Sequence, residues 1–379
     1  MAETPRIACF LATSGHSGVD RVARNLLPGI AEAGYPVDLL KIRDHGPWLT
    51  QPLAQNLRVI EFKAHHVYSA LPELVRYLRG TRPAVLLSDK DRVNRTALLA
   101  NALSGRPARV VLRSGTTVSR NLQSRGRWER FVQRTSMKYL YTHADAVLVP
   151  SVGAADDFAA SIGLARERIS VVPSPIITPG FQARLDEPLD HPWFRPGEPR
   201  VILGVGELCR RKDFATLIRA FAEIAPDYDC RLLILGEGRA RERLEAQVQS
   251  LKLADRVSLP GFVENPYPYM KRAGLFVLSS RWEGMPVVLI EALAAGTPVA
   301  ATDCPSGPRE LLGELPGEPL CPVGDSAALA AAMARQLDRP LASDQLRAAV
   351  SGYTLSSSVN RYLAAMGVGV AAPSDLLSG

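Results

Sequence analysis

Apolar positions along this chain follow two periods. Short runs in which nearly every side chain is apolar predict buried strands, and stretches with apolar residues three and four apart predict amphipathic helices. Ile7–Leu11 is a run of the first kind. It leads into a Ser14-Gly15-His16-Ser17-Gly18 loop, after which Val19, Val22, Ala23, Leu26, Leu27 and Ile30 recur at helical spacing. Val37–Lys41, Val59–Phe62, Ala84–Leu87, Arg109–Arg113 and Ala146–Val149 predict further strands. Strands alternating with helices specify a parallel sheet covered on both faces.

Seven prolines fall between Pro173 and Pro199. Proline fixes φ and removes a donor, so this stretch predicts an extended linker rather than a packed element. The alternation then restarts with Val201–Val205 and a helix carrying Phe214, Leu217, Ile218, Phe221 and Ile224 on one face. Arg231–Leu235, Val257–Leu259, Leu275–Leu278 and Val299–Thr302 predict a second sheet, and Ser356–Met366 a closing amphipathic helix. The expected division is residues 1–178, 179–352 and 353–379. Open parallel sheets of this α/β class bind ligands at the carboxyl ends of their strands.

The chain has 379 residues, 46% of them apolar and 22% charged, enough for two domains with real cores and too apolar for disorder. No apolar stretch reaches the roughly 18 residues of a membrane span, and the start lacks a signal-peptide layout. Five scattered cysteines with no C-x-x-C pair argue against a disulfide framework or a zinc site and for a reducing compartment. The net charge of +7 is uneven: residues 1–150 hold 22 basic against 11 acidic side chains, the remainder 23 against 27. Nine of the basic residues lie between Arg106 and Lys138, with Glu129 the single acid among them. Such a run is either a solvated face or a surface that meets phosphate or an anionic leaflet. No nucleic-acid motif accompanies it, so nucleic acid is not an expected partner.

Candidate chemistry concentrates between Ser279 and Pro298. A strand ends near Leu278, a loop holds Glu283-Gly284-Met285-Pro286, and a helix begins near Pro286. Glu291 is the only ionisable residue between Met285 and Pro298, on a helix that is otherwise apolar or small all round. A carboxylate there is costly unless something hydrogen-bonds it. The partner is either internal, such as a backbone amide or an arginine, or the hydroxyls of a ligand such as a ribose diol. The helix start would offer N–H groups to a phosphate. A second loop, Gly204-Val205-Gly206-Glu207-Leu208-Cys209-Arg210-Arg211-Lys212-Asp213, places glycines after a strand and cations before a helix, an arrangement that can cradle a diphosphate. It is no dinucleotide fingerprint, because Cys209 stands where the third glycine belongs, and no P-loop. Gly236-Glu237-Gly238 reads as a turn at the same sheet edge. In the first half, His16 and Asp89-Lys90-Asp91 follow strands at the other carboxyl edge. The D-x-D spacing suits a cation, but Lys90 and Arg92 beside it argue against one, and no metal is expected.

Together these residues resemble the retaining glycosyltransferases of the GT-B type, family 4 (glycosyl transferases group 1). The most specific part is an E-x7-E motif, Glu283 to Glu291, within a run from Gly261-Phe262-Val263 through Leu278-Ser279-Ser280 to Ala301-Thr302-Asp303-Cys304-Pro305-Ser306-Gly307-Pro308. The resemblance implies two facing Rossmann-like domains, acceptor-side then donor-binding, with the C-terminal helix crossing back onto the first. It implies that Glu291 binds the nucleotide ribose, Glu283 the donor sugar hydroxyls, and Lys212 the diphosphate. Arg210, Arg211, Gly206 and the backbone of Gly284, Met285 and Val287 would assist at phosphate. Gly236, Gly261 and Phe262 would frame the base, and Gly18 would approach the donor phosphate. Glu283, Lys212 and Asp89 are the catalytic candidates; His16 and Arg113 are the acceptor candidates.

The sequence departs from the family in three places. Glu207 stands where the family has an arginine, so Arg210 or Arg211 must compensate the repulsion it exerts on a diphosphate. Asp89 stands at the first-domain histidine, and a second histidine is replaced within Arg113-Ser114-Gly115-Thr116. The resemblance implies metal-independent hexosyl or N-acetylhexosaminyl transfer with retention, with no cofactor. The donor would be a nucleotide-diphosphate sugar, a UDP-sugar ahead of a GDP-sugar, and the acceptor a glycan or lipid-diphosphate. The implied location is cytoplasmic, peripheral at an anionic inner leaflet, in cell-surface polysaccharide, lipopolysaccharide or glycolipid synthesis. A catalytically degenerate GT-B protein that binds nucleotide-sugar or glycan for a partner enzyme, and a same-fold epimerase, are the alternatives.

Overall fold

The apolar runs form two all-parallel sheets. In the computed structural model, residues 4–13, 15, 18–49, 51–115, 118–119 and 126–369 are described. The first sheet contains β1 (Ile7–Leu11), β2 (Val37–Ile42), β3 (Leu57–Phe62), β4 (Val85–Asp89), β5 (Arg109–Arg113), β6 (Ala146–Val149) and β7 (Ile169–Val171), in the order β3-β2-β1-β4-β5-β6-β7. The second contains β8 (Arg200–Val205), β9 (Cys230–Leu235), β10 (Val257–Gly261), β11 (Leu275–Leu278), β12 (Val299–Thr302) and β13 (Leu320–Cys321), in the order β10-β9-β8-β11-β12-β13. The strand order therefore reverses between β1 and β4 in one sheet and between β8 and β11 in the other. These are the switch points beside which open α/β sheets take ligands.

Side-chain alternation explains why the central strands are apolar throughout. Ile7, Cys9 and Leu11 enter a core with Leu26, Leu27 and Ile30, while Ala8, Phe10 and Ala12 enter another with Leu74, Leu78 and Ala97. Both faces of β1 are covered, so neither can be polar. The second unit repeats this, with Ile202, Leu232 and Val277 packed against Phe214, Leu217, Phe221 and Met333.

The described residues divide into two units: one runs to Ile176 and resumes at Tyr353, and the other is Ile177–Gly352. The C-terminal helix, Leu355–Met366, returns to the first unit. There Tyr362, Leu363 and Met366 join the core that holds Ile7 and Leu26. Gly29 of the helix Gly18–Glu32 permits this approach: a Cβ there would come within 2.9 Å of Leu355 and Val359 side-chain carbons.

Two expectations need correction. The proline-rich stretch is not extended throughout, because Phe181–Leu185 forms a short helix whose end residues are buried. The Phe181 ring lies 4.7 Å from that of Tyr267. Strands β7 and β13 were not expected; at three and two residues they are too short to show a period.

Candidate active site

Strands β8 and β11 are neighbours in the sheet, so the loops leaving their carboxyl ends meet. The first supplies Arg211 and Lys212, the second Ser280 and Glu283. Lys212 Nζ donates to Glu283 Oε1 at 2.7 Å, Arg211 Nη1 to Glu283 Oε2 at 2.6 Å, and Ser280 Oγ to Glu283 Oε1 at 2.7 Å. Burial would raise the Glu283 carboxyl, but the charges of Lys212 and Arg211 outweigh it and hold the group below the usual carboxylate range. Further bonds fix the two loops to each other. Ser279 Oγ donates to the Lys212 carbonyl at 2.8 Å, the Arg281 N–H to the Arg211 carbonyl at 2.8 Å, and Arg281 Nε pairs with Asp213 at 2.9 Å. The cations are thus positioned before any ligand arrives.

The glycine loops gather beside this cluster. Gly206 N–H donates to the Leu235 carbonyl at 2.9 Å, and Gly236 N–H to the Gly261 carbonyl at 2.8 Å, which stitches the ends of β8, β9 and β10 together. A Cβ on Gly206 would lie 2.9 Å from Lys212 Cε, and one on Gly236 would collide with the Gly206 carbonyl oxygen. Both glycines have φ in the left-handed half, at 155° and 146°. They are required here by close approach as well as by conformation. Phe262 stands fully outside the core, at 75% exposure. Arg210 and Glu207 are exposed, so of the two arginines considered as compensation it is Arg211 that joins Lys212.

The helix after the E-x7-E loop runs Val287–Ala295 with Pro286 at its N-cap. Met285 is buried, and Gly284 and Val287 are partly so. The Val287 N–H donates to the Met285 carbonyl at 3.0 Å, closing a tight turn around Pro286. That amide was expected at phosphate; here it is engaged within its own turn. Glu291 is fully buried, and its Oε1 accepts from the Tyr267 hydroxyl at 2.9 Å. One internal partner among the described residues is therefore a phenol, which the sequence reading did not consider.

The first unit holds a buried ion pair at the carboxyl ends of β4 and β5, one strand beyond its own switch point. Arg113, at the end of β5, donates through Nη1 to Asp89 at the end of β4, through Nη2 to Ser174 Oγ at 3.1 Å, and through Nε to the Tyr362 hydroxyl at 2.8 Å. Arg113 and Asp89 are both buried. Arg113 was expected at the acceptor and Asp89 in catalysis; the structure engages each with the other, and Arg113 also with the C-terminal helix. Asp91, the second acid of the D-x-D turn, pairs with Arg95 at 2.8 Å and accepts from Gln133 at 3.0 Å. The two carboxylates thus serve separate arginines. Gly18 opens the helix Gly18–Glu32, and His16 lies outside the described residues. Sequence reading missed Tyr267, Ser174 and Tyr362, polar residues of common types with no motif around them; Ser280 and Arg281 lie in the run it singled out, but it gave them no role.

Comparison with known proteins gives this geometry a family. Residues 187–353 match the family described as Glycosyl transferases group 1, and residues 17–175 match the Glycosyl transferase 4-like domain. The chain belongs to the family 4 glycosyltransferases. A Campylobacter jejuni relative is 29% identical over 320 residues, covering 82% of this chain and 84% of its own. It is named as an N-acetylgalactosaminyltransferase acting on a diacetylbacillosaminyl-diphospho-undecaprenol glycan. The amylovoran biosynthesis glycosyltransferase AmsD of Erwinia amylovora is 24% identical, covering 79% and 81%. Among solved structures, the lipopolysaccharide outer core galactosyltransferase WaaB superposes with TM-score 0.73 at 19% identity over 96% of this chain and 99% of its own. Anabaena HepE in complex with UDP gives 0.75 at 15% identity, covering 96% and 99%. The family 4 chain thus has the GT-B fold, two parallel-sheet α/β domains with the last helix returning to the first.

Proposed function

We propose that this glycosyltransferase moves a hexose or N-acetylhexosamine, with retention of anomeric configuration, from a UDP-sugar to a lipid-diphosphate-linked glycan in building a cell-surface polysaccharide. The observation that carries the reading is the convergence of Lys212 and Arg211 at the switch point of the second sheet, held by Glu283 at 2.7 and 2.6 Å. Two fixed cations on a glycine-rich loop suit a diphosphate leaving group, whose charge grows as the glycosidic bond breaks. Glu283 is placed to exchange its cations for sugar hydroxyls once the diphosphate takes them. Glu291, held by Tyr267, would orient the ribose. This charge arrangement serves a leaving diphosphate without a metal.

The names of the relatives support the same substrates: HepE is described with UDP, and the Campylobacter relative acts on an undecaprenyl-diphosphate glycan. No helix among the described residues is long and apolar enough to cross a membrane. Work at the inner face therefore calls for peripheral attachment.

The test is transfer from a panel of UDP- and GDP-sugars to lipid-diphosphate glycans from membrane extract, read by mass spectrometry, with the product anomer read by NMR. A UDP-sugar should give a product of unchanged anomeric configuration, and Lys212→Ala should lower kcat/KM on the order of a hundredfold. An inverted product, or Lys212→Ala as active as wild type, overturns the reading.

A further inference from the structure

We propose that the helix Arg127–Leu140 is the surface by which this protein lies on an anionic membrane leaflet. The inference rests on the lipid-linked acceptor proposed above, and it names the element that brings the enzyme to that acceptor. One seam of the helix is anchored. Gln133 and Met137 are buried, Gln133 Nε2 donates to Asp91 at 3.0 Å, and Ser136 accepts from Arg95 at 3.3 Å. The opposite side is apolar and open: Trp128 is 76% exposed, Tyr139 67%, Phe131 62% and Val132 44%.

These residues, with Thr135 between them, follow the spacing i, i+3, i+4, i+7, i+11, so they form one stripe along the helix. The Trp128 and Phe131 rings are stacked with centroids 6.0 Å apart, which makes the stripe continuous at its start. Arg127, Arg130, Arg134 and Lys138 repeat the same spacing one residue earlier and are all exposed. A shift of one residue turns the basic row about 100° around the axis, to the border of the aromatic stripe.

A soluble surface helix buries its apolar stripe; this one buries a narrow polar-and-Met seam and presents its aromatics. Tryptophan and tyrosine suit the boundary between headgroups and acyl chains, where one end of each ring is wet. Arg127, Arg134 and Lys138 alongside them match anionic headgroups, an extended plane of charge that a row of cations can follow. The charge balance of the first 150 residues, 22 basic against 11 acidic, has the same sign.

The experiment is co-sedimentation of the full chain with phosphatidylglycerol/phosphatidylcholine vesicles and with pure phosphatidylcholine vesicles, beside two variants. Wild type should bind the anionic vesicles and release with salt. Replacing Arg127, Arg134 and Lys138 by Gln should weaken binding on the order of a hundredfold. Replacing Trp128, Phe131 and Tyr139 by Ser should weaken it about tenfold or more. Both variants should transfer sugar to a water-soluble short-chain acceptor at the wild-type rate. Wild type that ignores anionic vesicles, or variants that bind like wild type, overturns the proposal. So does a dimer that dissociates in the serine variant while vesicle binding is unchanged, since the stripe would then be an interface between copies. Vesicle binding that behaves as expected in a protein with no transferase activity would sink the proposed function and leave this inference standing.

Discussion

The Lys212 ammonium and the Glu283 carboxylate, 71 residues apart in sequence, meet at 2.7 Å across the ends of two neighbouring strands. In the proposed function the diphosphate must take Lys212 and Arg211 from this carboxylate, so Glu283 competes with the leaving group for the same cations. Glu283→Gln removes the competing charge and turns an N–H donor toward a guanidinium. Affinity for UDP should then rise roughly threefold to tenfold. Sugar transfer should fall on the order of a hundredfold, because the group meant for the sugar hydroxyls is lost. Isothermal titration with UDP beside a transfer assay separates the two effects. A variant that binds UDP more weakly than wild type would show that Glu283 assists the diphosphate rather than competing with it.

In the proposed function, Glu291 serves binding and Tyr267 serves stability. The carboxylate is fully buried and receives the phenol at 2.9 Å. Tyr267→Phe removes the donor and should cost about 1–3 kcal/mol in urea unfolding. Glu291→Gln keeps an acceptor for that phenol, so its stability should stay near wild type while the KM for the donor rises severalfold. Equal loss of stability in both variants, with no change in KM, would make the pair purely structural.

How far the sequence carries this picture depends on what each residue type can signal by itself. Ile7–Leu11, Arg109–Arg113 and Leu275–Leu278 were legible because strands covered on both faces leave continuous apolar runs. The helix Phe181–Leu185 was hidden among prolines, where one apolar pair four residues apart is its entire signal. Glu283 and Lys212 each stood out as charges in glycine-rich or apolar loops. Their pairing did not, because it depends on β8 and β11 being neighbours in the sheet, which local periodicity does not encode. Arg113 is the opposite case: a cation at a strand end looks available, and only tertiary structure shows three internal partners around it.

Those partners make Arg113 the joint between β4, the segment after β7 and the C-terminal helix. Arg113→Met leaves Asp89 buried beside no cation, a loss of about 3–5 kcal/mol. Tyr362→Phe deletes a single bond to the same guanidinium and should cost about 1 kcal/mol. Asp89→Asn combined with Arg113→Met removes both charges, so its cost should be well below the sum of the single changes. Urea unfolding of these three variants and of Asp89→Asn alone tests this. Additive losses would show that Arg113 and Asp89 act independently despite their contact.

Asp38, on β2, supplies a pH dependence whose sign can be worked out. Its side chain is covered and accepts from Arg58 at 2.8 Å, from Arg6 at 3.0 Å and from the Tyr77 hydroxyl. Burial would raise the carboxyl, but the hydrogen bonds from Arg58 and Tyr77 and the charges of Arg58 and Arg6 prevail and lower it from 3.8. A carboxyl held lower in the folded chain than in the unfolded one stabilises above its unfolded pKa, and that contribution disappears as pH falls through the folded value. At neutral pH, Asp38→Asn should therefore be the less stable protein. Below about pH 4 the difference should shrink with each step toward acid, because wild type is losing the same charge. Denaturant unfolding of both proteins across this range is the measurement. A gap that stays constant down to the most acid point at which wild type remains folded would show that the Asp38 charge contributes nothing beyond its shape.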